Sequence, residues 1–162
     1  MFSFSRRRER VEISGFIRHL VNVTTPNLPP TGGEQREQRR VNRSLPVLLA
    51  PWVGKRPLVD QAVTAMTKDI GDVSVGVVMQ KPLAAVEQVA LGFMLPVRDG
   101  TNLESEPSFV LGNVRQIAPI GGGYWLAGIE LDRILGTSGG AHFDELVAMT
   151  KQLTPPHGAP SS

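Results

Sequence analysis

A chemical signal in the sequence is a run of four arginines within eight residues: Arg36, Arg39, Arg40 and Arg43. Each guanidinium offers a planar fork of donors that matches a phosphate or the edge of a guanine. Residues 1–43 hold nine arginines and four glutamates, a balance of +5, whereas the rest of the chain has eight basic and eleven acidic residues. The positive charge is therefore local and comes from arginine alone. It indicates a binding site for a small anion or nucleotide, or else a solvated linker.

Two carboxylates, Asp69 and Asp72, form the second candidate group. They lie in "DIGD", which interrupts two apolar runs as the corner of a hairpin does. An aspartate in a turn often bonds to the nearby backbone, so a structural role and a ligand-binding role both stay open.

Metal chemistry and catalysis find no support in the sequence. The chain has no cysteine, and its histidines, His19, His142 and His157, are in three separate segments without ligand spacing. Ser138 lacks the strand-to-helix elbow and the partner base of a nucleophile. We expect no enzyme, no catalytic residue, no metal and no cofactor.

Short apolar runs separated by turns follow the arginines. About six strands are predicted in roughly 90 residues, a spacing typical of an all-β barrel or sandwich. They lie in "SLPVLLAPWV", "AVTAMTKDIGDVSVGVVMQ", "VALGFMLPV" and "FVLGNVRQIAPIGGGYWLAGIELD". Between the last two runs, "RDGTNLESEPS" is predicted to be a polar loop.

The segments that flank these strands have different patterns. Arg10 to Val23 fits helical spacing slightly better than strand spacing. "TTPNLPPTGGE" reads as a Pro/Gly linker without regular structure. Ala141 to Leu153 has one apolar face and is predicted to be an amphipathic helix. The tail "TPPHGAPSS" is predicted to be disordered.

The order of these motifs resembles the PilZ domain, a bacterial receptor module for cyclic di-GMP. Arg36-Glu-Gln-Arg-Arg40 followed by "VNRSLPVLL" matches the family's Arg-x-x-x-Arg motif and the strand after it, and "TKDIGDVSVGVVM" takes the place of its Asp/Asn-x-Ser-x-x-Gly motif. The last hairpin, with its glycine turn, resembles the family's closing hairpin. The resemblance covers about residues 34–135.

The resemblance implies an all-β core: a six-stranded antiparallel PilZ-like β-barrel with a short N-terminal helical or extended segment and a C-terminal α-helix. The implied division is 1–33 for the N-terminal segment and linker, 34–137 for the barrel domain, and 138–162 for the amphipathic helix and tail.

The second motif departs from the family pattern. In the gapless register Asp69 matches the acid, Gly71 replaces the serine and Ser74 replaces the glycine. The missing hydroxyl would cost about 0.5–1.5 kcal/mol, and a Cβ at Ser74 about 1–2 kcal/mol if that backbone needs a positive φ. An alternative register starts at Asp72, keeps Ser74 as the serine and brings the glycine, Gly76, one residue early. We favour the first register because the flanking "TKD" and "VGVVM" then match.

The implied function is a cyclic di-GMP-binding receptor or adaptor without catalysis. Ligand would order the arginine-rich arm onto the barrel and alter contacts with an unknown downstream protein. The ligand-binding residues expected from the resemblance are Arg36, Arg39, Arg40, Asp69, Gly71, Asp72 and Ser74. The alternative is a PilZ-like interaction module whose degenerate site binds no nucleotide and which acts through protein contacts.

Three further expectations concern partners and location. Aromatic residues make up 6% of the chain, too few for base stacking, which argues against a nucleic-acid partner. The C-terminal helix could cover the barrel as a lid or pair with another copy to form a homodimer. No apolar run approaches the roughly 18 residues of a membrane span and no secretory signal is present, so we expect a cytoplasmic protein.

Overall fold

The computed structural model describes residues 2–23, 25–26, 41–83, 86–99, 102–135 and 141–153. The predicted ligand-binding residues Arg36, Arg39 and Arg40 lie outside this described part. The elements, in chain order, are α1 (Phe2–Val23), β1 (Thr25–Pro26), β2 (Val41–Ser44), β3 (Pro46–Val53), β4 (Arg56–Pro57), a 3-10 turn (Val59–Gln61), β5 (Val63–Ile70), β6 (Ser74–Met79), β7 (Gln88–Asp99), β8 (Asn102–Gly121), β9 (Tyr124–Leu135) and α2 (Ala141–Lys151).

The longer strands pair in a closed ring. β3 pairs with β5, β5 with β6, β6 with β9, β9 with β8 and β8 with β7, and β7 returns to β3; all of these pairs are antiparallel. The short β2 lies along the same edge of β5 as β3, because the two are separated in the chain by Leu45 alone. The predicted antiparallel all-β core with flanking helices is confirmed.

Alternation of side chains along the strands builds the inner core of the ring. In β9, Ala127, Ile129 and Leu131 are buried, while the residues between them face outward. Val75 and Val77 of β6 are buried in the same cluster. This period of two is what an antiparallel sheet with one apolar face requires.

Helix α1 closes this core. Ile13, Ile17 and Leu20 are buried together with the inner strand residues, and their spacing of four and three places them on one helical face. The ring of Phe16 meets that of Phe93 edge to face at a centroid distance of 5.7 Å. The helical interpretation of this segment is confirmed, and the helix begins at Phe2 rather than at Arg10.

Helix α2 packs on the outer face of β3, β7 and β8. Leu146 is buried there against Leu48, Ala50, Ala90 and Phe109. The predicted amphipathic helix is confirmed, and its apolar face covers the sheet of its own chain. A homodimer through this helix stays a prediction.

Two sequence-based expectations were wrong. "RDGTNLESEPS" is not simply a polar loop, because β7 reaches Asp99 and β8 starts at Asn102, with Asp99 opposite Asn102 in the register. Polar residues fit there because two paired strands satisfy each other's backbone groups whatever their side chains. The Pro/Gly linker also contributes a short strand, since Thr25 pairs with Ser44 of β2.

The division of the chain into 1–33, 34–137 and 138–162 stays a prediction.

Neither described helix combines the length and the apolar composition that a membrane crossing requires.

Candidate functional site

The hairpin between β5 and β6 carries four of the predicted ligand-binding residues, Asp69, Gly71, Asp72 and Ser74. The backbone N–H of Gly71 donates to the carbonyl of Ser74 at 2.7 Å, which closes the turn. Gly71 is buried and Asp72 is exposed at the tip. Among the described non-glycine residues only Lys55 has a positive φ. Ser74 therefore sits in ordinary extended backbone, and the strain considered for a Cβ at this position does not arise.

A β-bulge in β5 orients Asp69. Thr67 pairs with Val77 and Asp69 with Gly76, so Lys68 is the extra residue on this strand. Thr67 and Ile70 both point into the core, three residues apart instead of two. The bulge thus leaves Asp69 on the outer face at the end of the strand, which is how bulges often re-aim a side chain.

Asp69 lies directly over its cross-strand partner, Gly76. A Cβ built on Gly76 would be 2.7 Å from Asp69 Oδ1, closer than real Cβ contacts. The glycine therefore makes room for the carboxylate. The acid of the favoured register and the glycine of the alternative register turn out to face each other across the hairpin.

Asp69 and Gly76 belong to a row of residues that crosses the outer face of the ring. We call it the glycine row; successive members are paired in the sheet, and it comprises Asn42, Asp69, Gly76, Gly128 and Gln116. Gly76 and Gly128 lack side chains, so the row forms a trough with a backbone floor. The Asp69 carboxylate lies over Gly76 and the Gln116 side chain lies over Gly128.

A charged pair lies beside the glycine row. Glu130 is opposite Ser74 in the register, and the Arg115 guanidinium donates to Glu130 Oε1, with Nε at 2.8 Å. Both side chains are largely exposed, so water screens the pair. They add a cation and an anion to the edge of the trough.

Arg43 fixes β2 between the hairpin and α1. Its Nε donates to the carbonyl of Val21 at 3.4 Å and its Nη1 to that of Asn42 at 3.2 Å. From the other side, Thr67 Oγ1 donates to the carbonyl of Arg43 at 2.8 Å. Val21 is in the last turn of α1, where carbonyls have no intrahelical partner. β2 therefore connects the candidate site to the helix.

The polar side chains of the glycine row can form hydrogen bonds to a ligand. Asp69 accepts hydrogen bonds, while Asn42 and Gln116 can both donate and accept. Among the described residues, no three His, Cys, Asp or Glu side chains come together as metal ligands would.

Sequence reasoning missed Asn42, Gly76 and Gly128 as neighbours of Asp69, and Gln116 at the far side. Alternation along each strand indicates which of them face outward, but the register that aligns the five strands of the row has no local signal in the sequence.

A cavity lies elsewhere on the ring. Its wall includes Met66 and Val78, which pair at the open end of the β5–β6 hairpin, away from the turn at Gly71.

No family model and no curated protein matches this sequence. Among solved structures the chain is similar to one described as "Structure of Bacillus subtilis Inhibitor of motility (MotI/DgrA)", with 14% sequence identity and a TM-score of 0.41. The match covers 77% of this chain and 56% of that one, so it spans little more than half of the other protein. A likeness this distant assigns neither a family nor a function.

Proposed function

We propose that this chain is a cyclic di-GMP-binding receptor or adaptor of the PilZ type, and that its ring of six strands is the PilZ-like barrel. The observation that carries the proposal is the register of β2 on β5, in which Asn42 lies opposite Asp69. It pairs the strand that follows the first motif with the strand that carries Asp69 of the second. The proposed role is binding without catalysis.

Chain connectivity supports a joint site. Val41, the residue after Arg40, is opposite Ile70, so Arg40 is bonded to a residue beside the hairpin. Arg36 is five residues before Val41, and an extended chain spans at most about 3.6 Å per residue. Chain length alone therefore limits both arginines to within about 18 Å of Val41.

The chemistry of the two sides is complementary to the proposed ligand. Arginine binds phosphate oxygens or the O6/N7 edge of guanine bidentately. The Asp69 carboxylate, placed over Gly76, is an acceptor for the guanine N1 and N2 donors. Each charge-assisted hydrogen bond contributes roughly 1.5–3 kcal/mol.

The proposed output is a change in partner contacts. Ligand phosphates neutralise the arginine arm and order it against the hairpin, and β2 carries the change through Arg43 to the end of α1. A downstream protein would bind to this surface.

One observation favours the second candidate, an interaction module that binds no nucleotide. Gly71 has no hydroxyl, and its N–H is already bonded to the Ser74 carbonyl. The turn therefore offers a ligand one donor fewer than the family motif does. We place this function second because the loss, about 0.5–1.5 kcal/mol, is smaller than the arginine contribution.

The test is a calorimetric titration of the folded protein with cyclic di-GMP, with GTP as the specificity control. We expect micromolar or tighter binding, weakened about tenfold or more by Arg40→Ala and by Asp69→Asn, since each removes a charge-assisted bond. Arg133→Ala is the matched control, because Arg133 is an exposed arginine further along β9, and it should bind as the parent does. No binding by the folded parent would overturn the proposal in favour of the interaction module.

A further inference from the structure

A groove of about 1070 Å³ lies between the outer side of the β5–β6 hairpin and the C-terminal end of α2. It is at the opposite end of the hairpin from Asp69. Pockets for small molecules usually measure about 300–1,000 Å³, so this one has room for an elongated occupant.

Aliphatic side chains from four elements form much of the wall of the groove. They come from the start of β3, from β5, from β6 and from the residues after α2: Pro46, Val63, Met66, Val78 and Leu153. Met66 is 41% exposed although it is apolar. Covering such surface is favourable by roughly 25 cal/mol per Å². The groove therefore favours an occupant with an apolar body.

Hydrogen-bond donors also line the groove. The Tyr124 hydroxyl accepts a bond from Gln80 Nε2 at 3.3 Å, which leaves the hydroxyl proton to donate to another group. Gln152, just after α2, adds an amide to the lining. An acceptor on the occupant would be matched here.

The described lining of the groove has positive charge only. Among the described residues that line it, Lys81 is the single charged one, and it forms no ion pair within that part of the chain. Because the described lining holds no carboxylate, a cationic occupant would meet an unpaired like charge. An anionic group beside Lys81 and Tyr124 would find one cation and one neutral donor.

We propose that this groove binds an aliphatic carboxylate, with its chain along Met66 and Val78 and its carboxylate at Lys81 and Tyr124. The site is separate from the glycine row and does not depend on nucleotide binding. Apolar walls set the affinity for the chain, and Lys81 sets the preference for a negative end group.

The test compares three probes with the same twelve-carbon chain: dodecanoate, dodecanol and dodecyltrimethylammonium. Calorimetry below the micelle-forming concentration should show binding of dodecanoate, about tenfold weaker binding of dodecanol, and the weakest binding of the cation, since one charge-assisted hydrogen bond is at stake. Lys81→Met should remove the preference for the carboxylate over the alcohol. Lys68→Met is the matched control, an exposed lysine of β5 outside the groove, and should keep the preference.

A second variant tests the walls. Met66→Asp places a carboxylate in the apolar part, and it should abolish dodecanoate binding while circular dichroism shows an unchanged fold. The proposal is overturned if no probe binds, if all three bind equally, or if Lys81→Met and Met66→Asp both bind dodecanoate as the parent does. A cyclic di-GMP titration of the same samples separates this outcome from that of the nucleotide proposal.

Discussion

Each of the two outer faces of the ring has a glycine over which another group lies closely, but the two groups differ in kind. On the face covered by α2, a Cβ on Gly92 would be 2.7 Å from Thr150 Oγ1; on the open face, a Cβ on Gly76 would be 2.7 Å from Asp69 Oδ1. In both places a missing side chain lets another group approach the strand. Under α2 that group belongs to a buried residue of the helix, whereas on the open face it is a half-buried carboxylate.

The group that contacts each glycine determines the role of that glycine. Thr150 is 0% exposed and its hydroxyl donates to the carbonyl of Leu146 at 2.7 Å, so it is fixed in the helix. The Asp69 carboxylate is the far end of a half-buried side chain that lies over the backbone of Gly76. The first glycine serves packing, and the second holds a charged group in place.

The largest expected difference comes from the matched pair Gly92→Ala and Gly76→Ala. The added methyl at residue 92 also meets Phe109 Cε1 at 2.8 Å, so Thr150 and Phe109 must both give way, and overpacking of this kind costs about 1–3 kcal/mol of unfolding free energy. At residue 76 the carboxylate moves aside, and the stiffer unfolded chain offsets the cost by about 0.4–1 kcal/mol. Urea unfolding of both variants measures the contrast.

For ligand binding we expect the opposite result, with the larger effect in Gly76→Ala. Gly76→Ala displaces Asp69 and should weaken cyclic di-GMP binding about tenfold, the value of one charge-assisted bond, while Gly92→Ala binds as the parent does. Equal loss of stability in the two variants would show that the open face is packed as firmly as the covered one, and the contrast between them would fail.

Local sequence patterns predicted most of the elements of both faces. The alternation in "SVGVVM" and "YWLAGIELD" predicts the two strands. The glycines predict the turn between β8 and β9, because Gly121, Gly122 and Gly123 all adopt a positive φ that other residues avoid. The spacing of Ile13, Ile17 and Leu20 predicts a helix. Such signals depend on neighbours in the chain, which the sequence displays.

The relation between distant strands could not be predicted in this way. The sequence placed Asp69 in a turn, but its position opposite both Asn42 and Gly76 follows from the register of three strands and from the bulge at Lys68. Polar strand ends such as Asn102 were missed because β propensity depends on context more than on composition. The arginines of the first motif fall outside the described residues, so their role rests on the resemblance and on their attachment to β2.

A smaller effect is expected from Arg43, which links the open face to α1. Arg43→Gln removes the bond to the Val21 carbonyl, and the protein should lose about 0.5–1.5 kcal/mol of unfolding free energy. Because the last turn of α1 then lacks this partner, its amides should exchange hydrogen faster, as mass spectrometry can measure. Arg18→Gln, at an exposed position of the same helix, controls for the loss of charge. Unchanged exchange in Arg43→Gln would mean that the open face is not coupled to the helix.

The smallest effect should come from the charged pair beside the glycine row. Arg115 and Glu130 are 64% and 41% exposed, so breaking the pair should change stability by less than about 1 kcal/mol. Arg115→Ala leaves Glu130 unpaired opposite Ser74, where its charge repels an anionic ligand, and cyclic di-GMP should bind a few-fold more weakly at low salt.

Removing Glu130 as well takes away the repulsion, so the double variant Arg115→Ala/Glu130→Ala should recover the affinity of the parent. Salt is the second control, because at about 0.15 M the screening length is near 8 Å and the difference between the two variants should shrink. If the double variant binds as weakly as Arg115→Ala at every salt concentration, then Arg115 contacts the ligand itself. The open face would then extend from Asp69 past the two glycines to Arg115, and the trough would be the floor of the binding site rather than its border.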